Sequence, residues 1–218
     1  MLCERCSAKV KPVVVFDVDG TLARYHESCS NFVRTYWGMP TVECDWDGAG
    51  DFEAWLGLSK DQWRQAKLAY RQGGQKRFMK AYHSALSSLH SLGQQADIWI
   101  ASNRPWQRLD NVDGDTRWWL ERQGVQFKGL LFGDDKYGDL VEIVDPNRIL
   151  GVVEDLPDQF DRAKDLGLPV WQIARQHNSH PTQERRPRAN INEVQMGITL
   201  DLVRWDNETG EHSGIRSE

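Results

Sequence analysis

The sequence predicts an α/β protein: a Rossmann-like parallel sheet of about five strands flanked by helices, with a helical cap inserted after the first strand. Three observations lead there. Short Val-, Ile- and Leu-rich runs recur without polar alternation, as in strands buried on both faces of a parallel sheet. Segments with helical spacing separate them, and that order implies right-handed crossovers. Most of the runs also stop at carboxylates, a hydroxyl or an amine, the edge where open α/β sheets place their ligands.

The first strand is 12–17 (Pro-Val-Val-Val-Phe-Asp), closed by Gly20. Residues 23–75 differ in character. They hold Trp37, Trp46, Trp55 and Trp63, a Gly/Asp-rich loop at 45–51, and a helix over about 60–72 that starts at Ser59 and stops at Gly73-Gly74. Phe78, Met79, Tyr82, Leu86 and Leu89 predict a helix over 76–92 that ends at Gly93. A second strand follows at 96–101, then a helix at 114–123, a short strand at 130–132 and a helix at 137–144. The fourth strand is 149–153, a helix covers 157–166, and a fifth strand is 169–174. The organisation is therefore a tail at 1–11, a core at 12–22 and 76–175, a cap at 23–75, and a C-terminal extension at 176–218. The extension carries a helix near 191–204 and a polar end that reads as disordered.

The chain of 218 residues carries a net charge of −5, which argues against a duplex nucleic-acid binder. It has no apolar run long enough to span a membrane, and the N-terminus lacks an apolar signal core. These features read as a cytoplasmic protein with reduced cysteines. They do not specify an oligomeric state.

Polar residues cluster where the strands end. Asp17 and Asp19 follow the first, Ser102, Asn103 and Arg104 the second, Lys136 the third, and Glu154 and Asp155 the fourth. In a parallel sheet these ends share one side. Acids of this kind hold Mg²⁺ through hard oxygen ligands, while a hydroxyl and an ammonium group hold phosphate oxygens. The spacing does not make an EF-hand, which needs a third oxygen residue before its glycine and a later Glu. Cys3-x-x-Cys6 and His26-x-x-Cys29 look like halves of a zinc site. However, the first strand holds them roughly 20 Å apart.

With these residues in place, the sequence resembles the haloacid dehalogenase (HAD) superfamily over about 12–175. Asp-Val-Asp-Gly-Thr at 17–21 matches its first motif, Ser102 the second, Lys136 the third and Glu154-Asp155 the fourth. The resemblance implies that Asp17 attacks phosphorus and that Asp19 protonates the leaving oxygen and then activates water. It implies a phosphatase rather than a dehalogenase. Mg²⁺ would sit on the Asp17 carboxylate, the Asp19 main-chain carbonyl and the Asp155 carboxylate, with Glu154 or Asp158 as outer partners. Lys136 would screen Asp17 from phosphate, and Thr21, Ser102, Asn103 and Arg104 would contact the substrate.

The resemblance extends to the 5′-nucleotidases (deoxyribonucleotidases) in the long insertion and in Thr116-Arg117-Trp118. It extends to the 3′-phosphatase domain of polynucleotide kinases in that helix and in Val170-Trp171-Gln172. It implies a small phosphorylated substrate, a nucleoside monophosphate, beneath a cap that closes over the site. The alternatives are a polynucleotide 3′-end, another small phosphometabolite, or a catalytically silent binding module. Trp55 and Trp63 are expected to fill the core of the insertion, while Trp37 and Trp46 flank polar turns and are candidates for lining a substrate cleft and stacking on a base. Arg71, Lys76, Arg77 and Lys80 are either a solvated face or a means of steering an anion. Arg175, His177 and Asn178 follow a strand on the active side and are further candidates to reach substrate.

Overall fold

A computed structural model describes residues 10–105, 111–180 and 188–208. Its centre is a parallel sheet of six strands: β1 (Val13–Phe16), β2 (Asp97–Ser102), β3 (Gly129–Phe132), β4 (Ile149–Glu154), β5 (Val170–Ile173) and β6 (Arg188–Ala189). Their order is β3-β2-β1-β4-β5-β6, so the connection reverses direction at β1. That reversal opens a crevice at the carboxyl ends of β1 and β4, the usual ligand position in an open α/β sheet.

Alternate residues of β1 face opposite layers. Val14 and Phe16 pack with helices α4 (His83–Leu92), α5 (Asn111–Arg122) and α8 (Ile191–Glu208). Val13 and Val15 pack with α6 (Lys136–Ile143) and α7 (Pro157–Asp165). Burial on both faces explains why β1 shows no polar alternation. The C-terminal extension belongs to this core. Ile191, Val194, Ile198 and Leu202 repeat on one side of α8 and are all buried. Gly151 of β4 admits that helix, because a Cβ there would lie 2.7 Å from Ile198 Cδ1. The predicted disordered end lies outside the described residues.

Between β1 and β2 stand α1 (Tyr25–Tyr36), α2 (Phe52–Trp55) and α3 (Lys60–Gln72), which share an apolar cluster of their own around Cys29, Val33, Phe52, Leu56, Ala66 and Tyr70. Ser59 and Gln62 form a reciprocal capping box at the start of α3. Two hydrogen bonds tie the loop after α1 to the segment beyond β5: His180 N to Asp47 O at 2.9 Å and Gln176 Nε2 to Asp45 O at 3.2 Å.

The helix expected over 76–92 is broken. Residues 75–78 make a single 3₁₀ turn and α4 begins only at His83. The backbone between them pairs with the chain leaving β1: Arg24 N donates to Lys80 O and Tyr82 N to Leu22 O, both at 2.8 Å. Tertiary pairing thus overrides the local helical spacing. Phe78, expected on the apolar face, is 69% exposed. No helix among the described residues is long and apolar enough to cross a membrane.

Candidate active site

Asp17 extends β1 by one residue, and its N–H donates to Val153 O of β4 at 3.0 Å. The chain then turns at Gly20, whose φ of +96° favours glycine. Glycine is also required for space: a Cβ at this position would fall 2.0 Å from Asp155 Oδ2. The Asp155 carboxylate therefore lies directly against the loop of the first motif. Thr21 Oγ1 donates to Asp155 Oδ1 at 3.0 Å, and His177 Nε2 lies 2.6 Å from Oδ2. Thr21 thus orients Asp155.

Arg175 holds the same loop from outside. Its Nε donates to Gly20 O at 2.9 Å and its Nη2 to Thr21 O at 2.7 Å, while the guanidinium lies 3.8 Å from the centre of the Tyr82 ring. Asn178 Nδ2 donates to Asp155 O at 2.9 Å, and Gln172 Nε2 donates to the same oxygen at 3.2 Å. Arg175, His177 and Asn178 therefore position the acids.

Lys136 enters from the first turn of α6 and is wholly buried. Its Nζ lies 2.5 Å from Asp17 Oδ1 and 2.7 Å from Glu154 Oε2. Burial works against its charge, but Asp17 and Glu154 outweigh burial and hold it protonated. Glu154 is fully engaged. Its Oε1 accepts from the backbone N–H groups of Asp155 and Leu156, and its Oε2 also accepts from Tyr137 at 2.6 Å. It is the partner of Lys136 rather than an outer neighbour of Asp155 alone. Asp158 stands exposed in the first turn of α7.

Asp17, Glu154 and Asp155 offer carboxylate oxygens within 4.8 Å of one another. Burial drives the Asp17 carboxyl well above the usual carboxylate range; Lys136 pulls it down, and Glu154 and Asp155 push it up again. Burial and Glu154 do the same to Asp155. Ionising all three acids beside one lysine would leave excess negative charge out of water, offset only in part by Arg175, and burial therefore holds Asp17 and Asp155 toward their neutral forms. A hard divalent cation fits that donor set in charge and in chemistry.

Asp19 is in a different situation. Arg104 grips it with Nε to Oδ2 at 3.0 Å and Nη2 to Oδ1 at 2.6 Å, and Lys76 also contacts Oδ2. Burial raises its pKa, but Arg104 and Lys76 outweigh burial and hold the carboxyl well below the usual range. Arg104 is itself fixed by Nη1 donating to Thr116 Oγ1 at 2.7 Å. This is the role of the Thr116 helix, while Arg117 pairs with Asp113 on the same helix and the ring of Trp118 meets Phe78.

A cavity of about 220 Å³ joins these groups. Asp17, Asp19, Ser102, Asn103 and Arg104 line its floor, and Lys67, Arg71 and Lys76 line its cap side. The Ser102 hydroxyl is buried and has no hydrogen-bond partner. The Asn103 amide donates to Gly133 O at 3.2 Å. Of the predicted site residues, Thr21, Lys136 and Asp155 sit behind this cavity, and the two tryptophans lie off it. Trp37 packs in the cap cluster. Trp46 lines an adjoining cavity of about 740 Å³, with Arg24, Tyr82, Arg175 and His177. His26 borders both cavities and its ring lies 4.2 Å from that of His177. Cys29 is buried in the cap core, while Cys3 and Cys6 lie outside the described residues.

The basic cluster at 71–80 does not form one face. Lys76 is buried against Asp19, Arg77 pairs with Asp115 at 2.5 Å, Lys80 pairs with Glu27 at 2.9 Å, and Arg71 lines the cavity. The sequence showed four neighbouring cations but no sign of their separate destinations.

No protein-family model matches the sequence, and no curated protein matches it. Solved structures match in fold. A HAD-superfamily hydrolase of subfamily IA from Geobacter sulfurreducens is 16% identical, with a TM-score of 0.57 over 89% of this chain and 96% of that one. The defluorinating L-2-haloacid dehalogenase Rha0230 is 13% identical, with a TM-score of 0.57 over 88% and 96%. A Bacillus subtilis protein assigned as the HAD hydrolase YfnB, with magnesium bound, is 14% identical, with a TM-score of 0.54 over 76% and 89%. The fold is the Rossmann-like fold of HAD hydrolases.

Proposed function

We propose that this protein is a Mg²⁺-dependent phosphomonoester hydrolase that works through an aspartyl-phosphate intermediate. One observation carries the reading: Asp17, bound to Lys136, shares a cavity with the unpartnered Ser102 hydroxyl and sits in a cluster of three buried carboxyl groups.

In this reading Asp17 attacks phosphorus and the alkoxide leaves. Lys136 offsets the charge between attacking carboxylate and phosphoryl group, and Ser102 donates to a phosphoryl oxygen. Asp17, the Asp19 carbonyl and Asp155 would hold Mg²⁺, which supplies electrostatic stabilisation of the phosphoryl oxygens when bound. Asp19 gives a proton to the leaving oxygen. It then takes one from water as the water oxygen attacks phosphorus, which releases phosphate and restores the Asp17 carboxylate. An alkoxide needs such an acid and a halide does not, so Asp19 favours phosphatase over dehalogenase chemistry. Asp19 can carry a proton only after an incoming anion draws Lys76 and Arg104 partly away from it.

The substrate is a small phosphorylated metabolite. Pockets for drug-sized ligands span roughly 300–1,000 Å³, and this cavity is smaller. A nucleoside monophosphate is the second reading. Trp46, in the adjoining cavity across His26, favours it, and such a substrate would have to bridge the two cavities.

The test is hydrolysis of p-nitrophenyl phosphate with and without Mg²⁺, by wild type and Asp17→Asn. Turnover that needs both Mg²⁺ and Asp17 supports the reading, and equal rates in the two proteins overturn it. A screen of nucleotides against sugar phosphates separates the two substrate classes.

A further inference from the structure

The cationic side of the cavity holds more positive charge than a phosphate needs. Four cations line it, Lys67, Arg71, Lys76 and Arg104, against the acids Asp17 and Asp19. Asp17 belongs to Lys136 and to the carboxylate cluster behind it. Asp19 therefore offsets one of the four charges, and a phosphate dianion offsets two more. One positive charge is left over.

The geometry identifies which cations are unassigned. Lys76 and Arg104 both touch Asp19. Lys67 and Arg71 stand one turn apart on α3, and neither has an acidic partner among the described residues. Arg71 Nε is buried without a hydrogen-bond partner, as are Arg24 Nε and Arg34 Nε, but of these three only Arg71 lines this cavity. Lys67 sets its ammonium 5.2 Å from the centre of the Trp63 ring, a contact that leaves its hydrogens available. Burial and the neighbouring charge of Arg71 lower the pKa of Lys67, and Cys29 and Glu53 offset them only in part. Like charges held together at a cavity wall, with no ion-paired acid among the described residues, are what an anion site looks like before its anion arrives.

We infer that Lys67 and Arg71 form a second anion subsite, so that the preferred substrate is a small phosphomonoester with a further carboxylate or phosphate at its other end. The inference rests on the phosphatase reading for the word substrate, but the subsite itself does not depend on turnover. Arg71 makes the directional contacts, because its planar fork suits either group, and Lys67 adds charge. The subsite lies on the cap, so the second anion also helps hold the cap over the core.

The test is calorimetric binding of a matched, non-hydrolysable pair, 3-phosphonopropionate and n-propylphosphonate, with ethane-1,2-diphosphonate as the second-phosphate arm. In wild type at least one doubly functional ligand binds tenfold or more tightly than propylphosphonate, and the stronger of the two identifies the group preferred. Arg71→Met with Lys67→Met reduces that preference below threefold and weakens propylphosphonate by much less than it weakens the doubly functional ligands. Circular dichroism confirms the fold of the variant, and Arg71→Lys retains part of the preference. Equal affinities for all three ligands in wild type overturn the subsite. So does a double variant that weakens all three alike. If p-nitrophenyl phosphate is not hydrolysed yet the preference is present, the phosphatase reading fails and the subsite stands.

Discussion

The acid half of the site, Asp17, Glu154 and Asp155 around Lys136, stands on strand ends and on the first turn of α6, and every member is buried. The cationic half, Lys67, Arg71, Lys76 and Arg104 around Asp19, comes from the cap helix α3, the turn after it and the loop beyond β2. The first half lacks positive charge and the second lacks negative charge. The two halves meet at Asp17, which lines the small cavity with Glu154 and Asp155 behind it, an arrangement that fits a cation and an anion bound side by side. The sheet fixes one half rigidly, whereas the other depends on how the insertion packs.

The sharpest way to break this contrast is at Asp17. Asp17→Asn should lower turnover by about four orders of magnitude or more, as removal of a covalent nucleophile does. Its thermal midpoint in the absence of metal should match or exceed that of wild type, because the substitution removes a carboxylate that burial and two neighbouring acids disfavour. An active variant, or one that unfolds, would mean that the acid half is structural and not chemical.

Lys136→Met tests the same half through stability. It leaves three buried acids without their lysine, and breaking a buried pair costs about 3–5 kcal/mol. Urea unfolding measures this loss, and Glu154→Gln in the same chain should restore part of it by removing one of the stranded charges. A loss below about 1 kcal/mol would show that water reaches these groups.

Much of the acid half was legible in the sequence because Asp17, Glu154 and Asp155 stand at the ends of short apolar runs that, bounded by turn residues, read as buried strands. Asp17, Ser102 and Asp155 needed no tertiary information beyond the parallel order of the sheet. Glu154 was visible, but its attachment to Lys136 was not, since two residues 18 apart meet only when α6 packs beside β4. The cationic half was much less legible. A run of lysines and arginines looks the same whether it is solvated or buried, and the break at 79–82 that turns Lys76 inward comes from pairing with the chain after β1. The six-stranded count escaped because β6 has only two residues.

Asp19 joins the two halves, and its substitution should depend on the leaving group. Asp19→Asn removes the proton donor, a contribution of about 10²–10⁴ in rate for a general acid. The full loss is expected for alkyl phosphates, whose alkoxides leave poorly, and a much smaller one for p-nitrophenyl phosphate. Kinetics on the two substrate types measure it. Equal losses on both would remove Asp19 from proton transfer and leave it as the anchor of Lys76 and Arg104.

The smallest effect concerns the cap alone. Burial pushes the Cys29 thiol up to about 11 from its ordinary 9.0, so the folded state favours the neutral form. A raised pKa contributes stability that is fully present below pH 9 and lost as pH rises through 11. At 1.36 kcal/mol per unit the loss is at most about 3 kcal/mol. Cys29→Ala should therefore show a shallower fall in stability between pH 9 and 11, offset by a constant penalty for the small cavity left behind. Parallel slopes would mean that the cap opens and hydrates Cys29 before the core unfolds, so that the cationic half could separate from the acid half without disturbing the sheet.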